Sequence, residues 1–248
     1  MVNTKLNSYI LGVRVDNLSC EKIIKQINHC LNGNEFCHIV TLNPEIVLKA
    51  VSDKLYKKIL NSAKLIIADG IGIKFAFWRY GKNLKCRFAG VDLMWKILDI
   101  ANQKKLKILL VASDNGLSNW QETQRVISAK FPKLQIIGAD LENFENFENS
   151  LISKLNNCDI VFVNFGAPEQ EIFLHNISGK TSAKIGIGVG GAFDYITGKA
   201  LRAPKWVRKI GLEWLYRLLH QPKRVKRIFN AIIVFPFKVL LNKERSRQ

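Results

Sequence analysis

The chain has 248 residues, of which 48% are hydrophobic and 23% are charged, and its formal net charge is +18 at pH 7. This length and composition indicate one globular domain, or one domain with an appendage, and the lack of any apolar stretch of 18 residues excludes a membrane-spanning helix. Because so large a positive charge attracts polyanions, the candidate partners are nucleic acid, anionic lipid and phosphorylated substrates.

Apolar runs alternate with helical patterns along most of the chain. The segment 9–16 predicts an edge strand or a hairpin. Six further runs, rich in Val and Ile, predict strands covered on both faces. They lie at 36–41, 64–68, 106–112, 134–139, 159–165 and 184–189. Helices are predicted at 44–60, 70–80, 91–103, 117–130, 144–156 and 168–178. This alternation predicts an α/β fold with a Rossmann-like, mostly parallel sheet flanked by helices.

The character of the chain changes after Gly198. Residues 199–248 hold 14 Lys and Arg against two acidic residues. Two helices are predicted there, at 204–219 and 222–241, and the second has a basic first turn followed by an interrupted apolar stretch. Such a segment is suited to lie among lipid headgroups. We therefore predict a catalytic α/β domain at 1–198 and a basic amphipathic, membrane-associating appendage at 199–248.

The cysteines and the N-terminus bear on cellular location. The five cysteines form no CxxC pair and match no zinc motif, so we expect reduced, mostly buried thiols. They are Cys20, Cys30, Cys37, Cys86 and Cys158. The sequence MVNTKLNSYI lacks the basic-then-apolar pattern of a signal peptide. Together these features predict a cytoplasmic protein.

Two groups of polar residues follow predicted strands. Asp69 comes directly after the strand 64–68, at the sheet edge where a carboxylate could accept a proton from an attacking hydroxyl. The alternative for Asp69 is a turn or helix-capping residue. Thr41 and Asn43 follow the strand 36–41 and could bind a sugar or base, or Asn43 could cap the helix that Pro44 begins.

A glycine-rich turn follows the last predicted strand. Gly186, Gly188, Gly190 and Gly191 could bring backbone N–H groups close to phosphates, or could allow close packing of a helix on the strand. Their spacing matches neither GxGxxG nor Walker A. The lack of GxGxxG after the first strand argues against a Rossmann-type oxidoreductase.

Several catalytic motifs are missing from the sequence. There is no DxD, no paired histidine motif and no GxSxG. We therefore expect no catalytic metal, no cofactor and no serine-hydrolase triad.

Three tail arginines have a helical spacing. Arg217, Arg224 and Arg227 are seven and three residues apart, which approximates one helix face. Since Arg binds phosphate bidentately, this face could bind a diphosphate. A solvated basic surface or a general lipid anchor is the alternative.

The sequence resembles the WecG/TagA/CpsF family (glycosyltransferase family 26). The resemblance runs from about residue 10 to residue 230. Its blocks are TLNPE (41–45), ADGIGIKFA (68–76), RFAGVDL (87–93), NFGAPEQE (164–171) and the long block that begins GVGGAFDYITGKALRAPKW at 188 and ends at 224.

The resemblance implies an inverting transfer of an N-acetylmannosamine-type sugar. The donor would be a UDP-sugar, and the acceptor a polyprenyl-diphosphate-linked amino sugar at the cytoplasmic face of the membrane. Asp69 corresponds to the catalytic base, and Arg217, Arg224 and Arg227 to arginines that meet the lipid diphosphate. The predicted substrate-binding residues are Thr41, Asn43, Arg87, Gln170, Gly188, Gly190, Gly191 and Asp194.

A basic nucleic-acid-binding α/β protein is the alternative that the charge permits. The sequence has no standard DNA- or RNA-binding signature, and the charge adjoins an amphipathic apolar stretch. We therefore expect an anionic membrane surface as partner and no nucleic acid. A homo-oligomer is possible.

Overall fold

The structure, a computed structural model, describes residues 7–142, 144 and 149–242. Its strands are β1 (Asn7–Ile10), β2 (Val13–Asp16), β3 (Cys37–Leu42), β4 (Leu65–Ala68), β5 (Lys107–Ser113), β6 (Gln135–Leu141), β7 (Ile160–Val163) and β8 (Ile185–Gly188). The first nine helices are α1 (Cys20–Asn32), α2 (Pro44–Ser52), α3 (Lys54–Ser62), α4 (Ile71–Arg79), α5 (Gly90–Lys104), α6 (Trp120–Lys130), α7 (Asn149–Leu155), α8 (Glu169–Ile177) and α9 (Ala192–Ile196). The tail forms α10 (Lys205–Lys209), α11 (Glu213–His220), α12 (Val225–Phe229) and α13 (Phe235–Leu241).

Six strands form one parallel sheet in the order β4-β3-β8-β7-β5-β6. This confirms the predicted α/β fold with helices on both faces. Each strand begins and ends within two residues of its predicted bounds. Every residue of β3, β4, β7 and β8 is buried, which explains their continuous Val and Ile content.

The predicted hairpin at 9–16 forms a separate two-stranded antiparallel sheet. Leu11 and Gly12 make its two-residue turn with φ of 52° and 82°, as tight hairpin turns require. The backbone N–H of Ile66 donates to the Asp16 carboxylate at 2.7 Å, which fastens the hairpin to the edge strand β4.

Two helical predictions are corrected near the N-terminus. The sequence reading missed α1, which Ser19 caps by accepting a hydrogen bond from the N–H of Lys22. The helix predicted at 44–60 is two helices, because the Asp53 side chain accepts from the N–H groups of Leu55 and Tyr56 and starts α3. Capping by a single aspartate is a local event that hydrophobic periodicity does not reveal.

The tail also differs from the two helices predicted for it. Four short helices replace them, with a break at Gly211, where φ is 82°. A 3₁₀ turn at Pro222–Arg224 and a π-helical turn at Asn230–Val234 flank α12. Phe235 and Val239 of α13 are fully buried in the hydrophobic cluster between the sheet and α4. The appendage is thus packed into the α/β domain.

Four of the five cysteines are paired, which corrects the expectation of reduced thiols. Disulfides join Cys20 to Cys86 and Cys30 to Cys37, with Cα atoms 5.1 and 6.0 Å apart. Cys158 is unpaired and buried. The first pair is 66 residues apart in sequence, so only the packing of α1 beside the segment before α5 reveals it. Among the described residues, none of the helices has the length and apolarity needed to cross a bilayer.

Candidate active site

The candidate site lies at the carboxyl edge of four neighbouring strands. Asp69 follows β4, Asn43 follows β3 and Gly190 follows β8. Gln170 stands in the first turn of α8, which follows β7. Because β4, β3, β8 and β7 are adjacent in the sheet, their carboxyl ends bring these residues to one place.

Asp69 is held where β4 turns into α4. Its backbone N–H donates to the carbonyl of Leu42 at 2.7 Å, and Gly70 makes the turn with a φ of 84° that favours glycine. The N–H of Gly90, the first residue of α5, donates to the Asp69 carboxylate. The side chain therefore faces a helix N-terminus and cannot swing freely.

The electrostatics of Asp69 suit a proton acceptor. Burial raises the pKa of its carboxyl to about 6, with Arg217 opposing the shift and Glu213 adding to it. Such a carboxyl is mostly ionised at neutral pH and yet binds a proton better than an exposed aspartate does. A general base works best when its pKa lies near the working pH.

Two cavities, of about 180 and 130 Å³, meet at Asp69. The first extends toward the tail and has apolar walls that include Ile71, Trp214 and Ile232. The second lies over the strand ends, against Gln170 and residues 189–191. Both cavities are lined by Asn43, Glu45, Asp69, Arg217, Arg224 and Arg227. The shared carboxylate could thus contact molecules bound on either side.

The structure brings the three tail arginines to this shared wall. Arg217 pairs with Glu213 at 2.6 Å, and its guanidinium lies 5.5 Å from the centre of the Tyr195 ring. Arg227 pairs with Glu45, at the start of α2, at 2.8 Å. Each of these two arginines is thus paired with a carboxylate of the cavity wall.

Arg224 has a different electrostatic environment. Burial, together with the positive charges of Arg227 and Arg217, lowers the pKa of its guanidinium. The nearby carboxylate of Asp194 opposes this effect. Excess positive charge of this kind is relieved when an anion binds, and arginines bind diphosphates well.

The glycine turn is held from below by Gln170. The Gln170 Oε1 atom accepts hydrogen bonds from the N–H of Gly190 at 3.0 Å and of Gly166 at 3.2 Å. A Cβ atom on Gly188 would lie 2.5 Å from Gln170 Nε2. For Gly188 the contacts therefore favour the close-packing alternative. Gly190 lines the second cavity with open space around it, and its φ of 51° favours glycine. Gly191 adjoins the side chains of Asp194 and Arg224.

A buried carboxyl fixes the orientation of Gln170. Glu171 is only 1% exposed and accepts hydrogen bonds from Gln170 Nε2 at 2.6 Å and from the Tyr56 hydroxyl at 2.8 Å. Burial raises the pKa of Glu171 to about 7. Because its two donors come from α8 and α3, this network links the cavity wall to the core.

Thr41 and Asn43 line the second cavity and also have structural partners. The Thr41 hydroxyl donates to the carbonyl of Gly188 at 3.3 Å. Asn43 Oδ1 accepts from the N–H of Ile46 at 3.0 Å and so caps α2. Asn43 therefore caps α2, as the alternative prediction held, and also lines the cavity.

The remaining predicted residues lie at different depths. Arg87 is exposed and lines the first cavity. Asp194 is buried and lines neither cavity; burial raises the pKa of its carboxyl, and a hydrogen bond from Ser118 opposes that shift. Among the charged and aromatic residues of the cavity walls, sequence reasoning missed five, although all five lie in the sequence blocks that carry the family resemblance. The missed residues are Glu45, Tyr195, Arg208, Glu213 and Trp214.

Within residues 7–142, 144 and 149–242, no group of three or more His, Cys, Asp or Glu side chains could hold a metal ion. The positive charge that faces Asp69 comes from arginines.

Known proteins resemble the chain over most of its length. The sequence profile of the "Glycosyl transferase WecG/TagA/CpsF family" matches residues 8–248. A Bacillus subtilis (strain 168) protein named N-acetylglucosaminyldiphosphoundecaprenol N-acetyl-beta-D-mannosaminyltransferase is 35% identical over 77% of this chain and 75% of its own length. A protein of the same name from Staphylococcus aureus (strain MRSA252) is 31% identical over 96% of this chain and 94% of its own.

The profile match extends through both the α/β domain and the tail, so it covers every element that builds the two cavities. The profile matches nearly the full length, and the two relatives are more than 30% identical to the chain. The chain therefore belongs to the WecG/TagA/CpsF family of glycosyltransferases.

Proposed function

We propose that this enzyme is an inverting glycosyltransferase that moves an N-acetylmannosamine-type sugar from a UDP-sugar to a polyprenyl-diphosphate-linked amino sugar. The product would enter cell-surface polysaccharide or teichoic acid biosynthesis. The names of the relatives support the transferred sugar and the acceptor. The observation that carries the proposal is Asp69, with a raised pKa, between two cavities that share three arginines.

The proposed reaction is a single displacement. Asp69 accepts the proton of the acceptor hydroxyl as that oxygen attacks the anomeric carbon of the donor. The new C–O bond forms on the face opposite UDP, and the bond to UDP breaks, so the anomeric configuration inverts. Two substrates in adjacent cavities with Asp69 between them suit this geometry.

The charge that develops on the leaving UDP needs a positive partner. Arg217, Arg224 and Arg227 supply fixed positive charge beside Asp69, and Arg87 adds more at the wall of the first cavity. Preorganised charges of this kind stabilise a developing anion without rearrangement during the reaction. We therefore propose that the transfer needs no divalent metal.

We also propose peripheral attachment to the cytoplasmic face of an anionic membrane, where a lipid-linked acceptor would be found. Between residues 201 and 242 there are ten basic residues and one acidic residue. Exposed apolar side chains accompany them, among them Leu219, Phe229 and Phe237. Basic charge next to exposed apolar surface is typical of proteins that bind lipid headgroups.

A nucleic-acid-binding protein remains the second candidate, because a net charge of +18 favours it. The arginines of the site, however, line cavities around a carboxylate. Parallel binding measurements on anionic vesicles and on nonspecific DNA, both at physiological salt, separate the two candidates. Tight DNA binding with no vesicle binding would support the second.

The decisive test measures UDP release. The purified chain is mixed with a panel of UDP-sugars and a synthetic prenyl-diphosphate acceptor, with and without excess EDTA. We expect release that depends on the acceptor, is fastest with UDP-N-acetylmannosamine and persists in EDTA. No turnover with any donor would contradict the proposed function, and a loss restored by Mg²⁺ or Mn²⁺ would contradict metal independence alone.

A further inference from the structure

We propose that the catalytic domain itself contacts the membrane through α4, with Trp78 as the anchoring side chain beside the outer face of α13. This inference rests on the proposed membrane attachment. It adds a contact from outside the basic tail.

The packing of α4 determines which of its side chains face outward. Ile73, Ala76 and Phe77 are buried against the core. A Cβ on Gly72 would lie 3.6 Å from the Phe235 ring, and the Arg79 guanidinium donates to the Leu240 carbonyl at 3.4 Å, so α13 lies along a second face. The face that remains carries Ile71 and Trp78.

Trp78 is therefore a large aromatic side chain in water. It is 71% exposed, and Ile71, seven residues earlier on the same face, is also exposed. Tryptophan is enriched at membrane–water interfaces because its ring is amphipathic.

The neighbouring helix α13 has a similar outward face. Phe235 and Val239 point into the core, and the opposite side of the helix carries Phe237 and Leu241, which are 60% and 64% exposed. Since α4 and α13 lie side by side on the core, their outer faces form one surface. We call this the α4–α13 surface, defined by Ile71, Trp78, Phe237, Leu240 and Leu241.

The charge around this surface favours an anionic lipid over an apolar protein partner. Lys74 and Arg79 of α4 and Lys238 of α13 are exposed, and neither helix contains an acidic residue. Basic side chains next to a leaflet contribute attraction that apolar contact alone does not give. An apolar surface with a basic border is typical of proteins that rest on anionic membranes.

The position of the surface also suits a lipid-linked acceptor. Ile71 belongs both to the α4–α13 surface and to the wall of the first cavity. Ala231 and Ile232, which precede α13, line the same cavity. Contact of this surface with the bilayer would therefore bring the first cavity next to the membrane.

The first experiment compares Trp78→Ser with a matched control. Leu55→Ser removes an apolar side chain that is 68% exposed on α3, outside the surface. Cosedimentation uses vesicles of equimolar phosphatidylglycerol and phosphatidylcholine. We expect Trp78→Ser to weaken vesicle partitioning by about tenfold, because one large apolar side chain would no longer be buried in the bilayer, and Leu55→Ser to leave it unchanged.

The second experiment locates the ring directly. The chain has five tryptophans, so the emission of Trp78 is taken as the difference between the parent and Trp78→Phe. With acyl-chain-brominated phosphatidylcholine in the vesicles, this difference should be quenched if the ring enters the bilayer. An unquenched difference would overturn the inference.

Turnover and mass measurements separate this inference from the proposed function. On a water-soluble, short-chain acceptor, Trp78→Ser should turn over like the parent, because Trp78 lines neither cavity. If the parent binds vesicles and Trp78→Ser binds equally well, the inference alone is wrong. If the parent does not bind vesicles, membrane attachment is wrong as well. If Trp78→Ser differs from the parent in oligomeric mass but not in vesicle binding, the α4–α13 surface binds a second copy of the chain instead of the membrane.

Discussion

Asp69 is the residue on which the proposed chemistry depends. Asp69→Asn should lower turnover by about 100-fold or more, because the amide cannot accept the proton of the acceptor hydroxyl. Turnover is measured by UDP release, and Asp99→Asn, an exposed carboxylate on α5, is the control. Turnover of Asp69→Asn within a few-fold of the parent would remove Asp69 as the base.

The same substitution should not weaken the fold. The pKa of Asp69 is raised in the folded state, so its ionisation costs stability as the pH rises from about 4 to 6. Asn carries no such cost, and at pH 7 the variant should be more stable to denaturant by about 1–3 kcal/mol, with water in the cavity reducing the effect. A destabilised variant would instead mean that the carboxylate holds the site together.

The pH dependence of kcat/KM should report Asp69. Since its pKa is about 6 and the base must be ionised, activity should fall as the pH drops below about 6. The negative charge of Glu213 adds to the raised pKa, so Glu213→Gln should move this acid limb to lower pH. The remote variant Glu122→Gln is the control and should not move it. A limb that stays in place in Glu213→Gln would belong to another group.

At the scale of elements, the turn after β8 depends on the packing of α8 beneath it. Gly188→Ala should destabilise the protein by about 1–3 kcal/mol, because the new methyl would overlap the buried Gln170 carboxamide and disturb its bond to Gly190. Turnover should fall with it. Denaturant unfolding checks the first expectation, with Gly33→Ala, which has room for a methyl group, as the control. An unchanged unfolding midpoint would mean that Gln170 moves aside without cost.

The tail places three arginines in the cavity walls, so variants of these arginines can separate a role in catalysis from a role in membrane attachment. Arg217→Ala, Arg224→Ala and Arg227→Ala should each lower turnover on a short-chain, water-soluble acceptor while vesicle binding stays largely intact, since many other basic residues remain. Lys226→Ala, an exposed tail residue that lines neither cavity, is the control. Active variants that fail to bind vesicles would make the tail an anchor only.

For the whole molecule, membrane attachment should depend on salt. Raising the salt from about 50 to 500 mM should weaken binding to phosphatidylglycerol vesicles by about tenfold or more, because each basic residue contributes about 1 kcal/mol that salt screens. Phosphatidylcholine vesicles are the control and should show weak binding with little salt dependence. Equal binding to both kinds of vesicle at all salt concentrations would mean that apolar contact alone attaches the protein to the membrane.

Deleting residues 199–248 would be a poor test of whether the tail attaches the protein to the membrane. Phe235 and Val239 of α13 are fully buried in the core beside α4. Their removal would expose the cluster that supports Asp69 and β4, so a loss of membrane binding could not be distinguished from a loss of fold. Point variants on the surface avoid this difficulty. The boundary at residue 198 stays a prediction about function.

The sequence by itself determined the α/β fold, the six strands and the family. Buried parallel strands are continuous apolar runs, and the motif blocks are contiguous, so both can be read locally. It also predicted Asp69 as the base, and the position of Asp69 after β4 follows from that local pattern. The split at Asp53 depends on a side-chain cap, and the sequence reading missed it for that reason.

Only the tertiary structure decided which distant residues meet. Three contacts join segments far apart in the chain: the disulfide of Cys20 with Cys86, the ion pair of Arg227 with Glu45, and the hydrogen bond from Tyr56 of α3 to Glu171 of α8. Spacing carries no information about such contacts, because they depend on strand order and on the path of the tail. The same is true of Trp78: the sequence predicts a helix at 70–80, and only the packing of α4 against the core and α13 shows that the Trp78 ring is exposed.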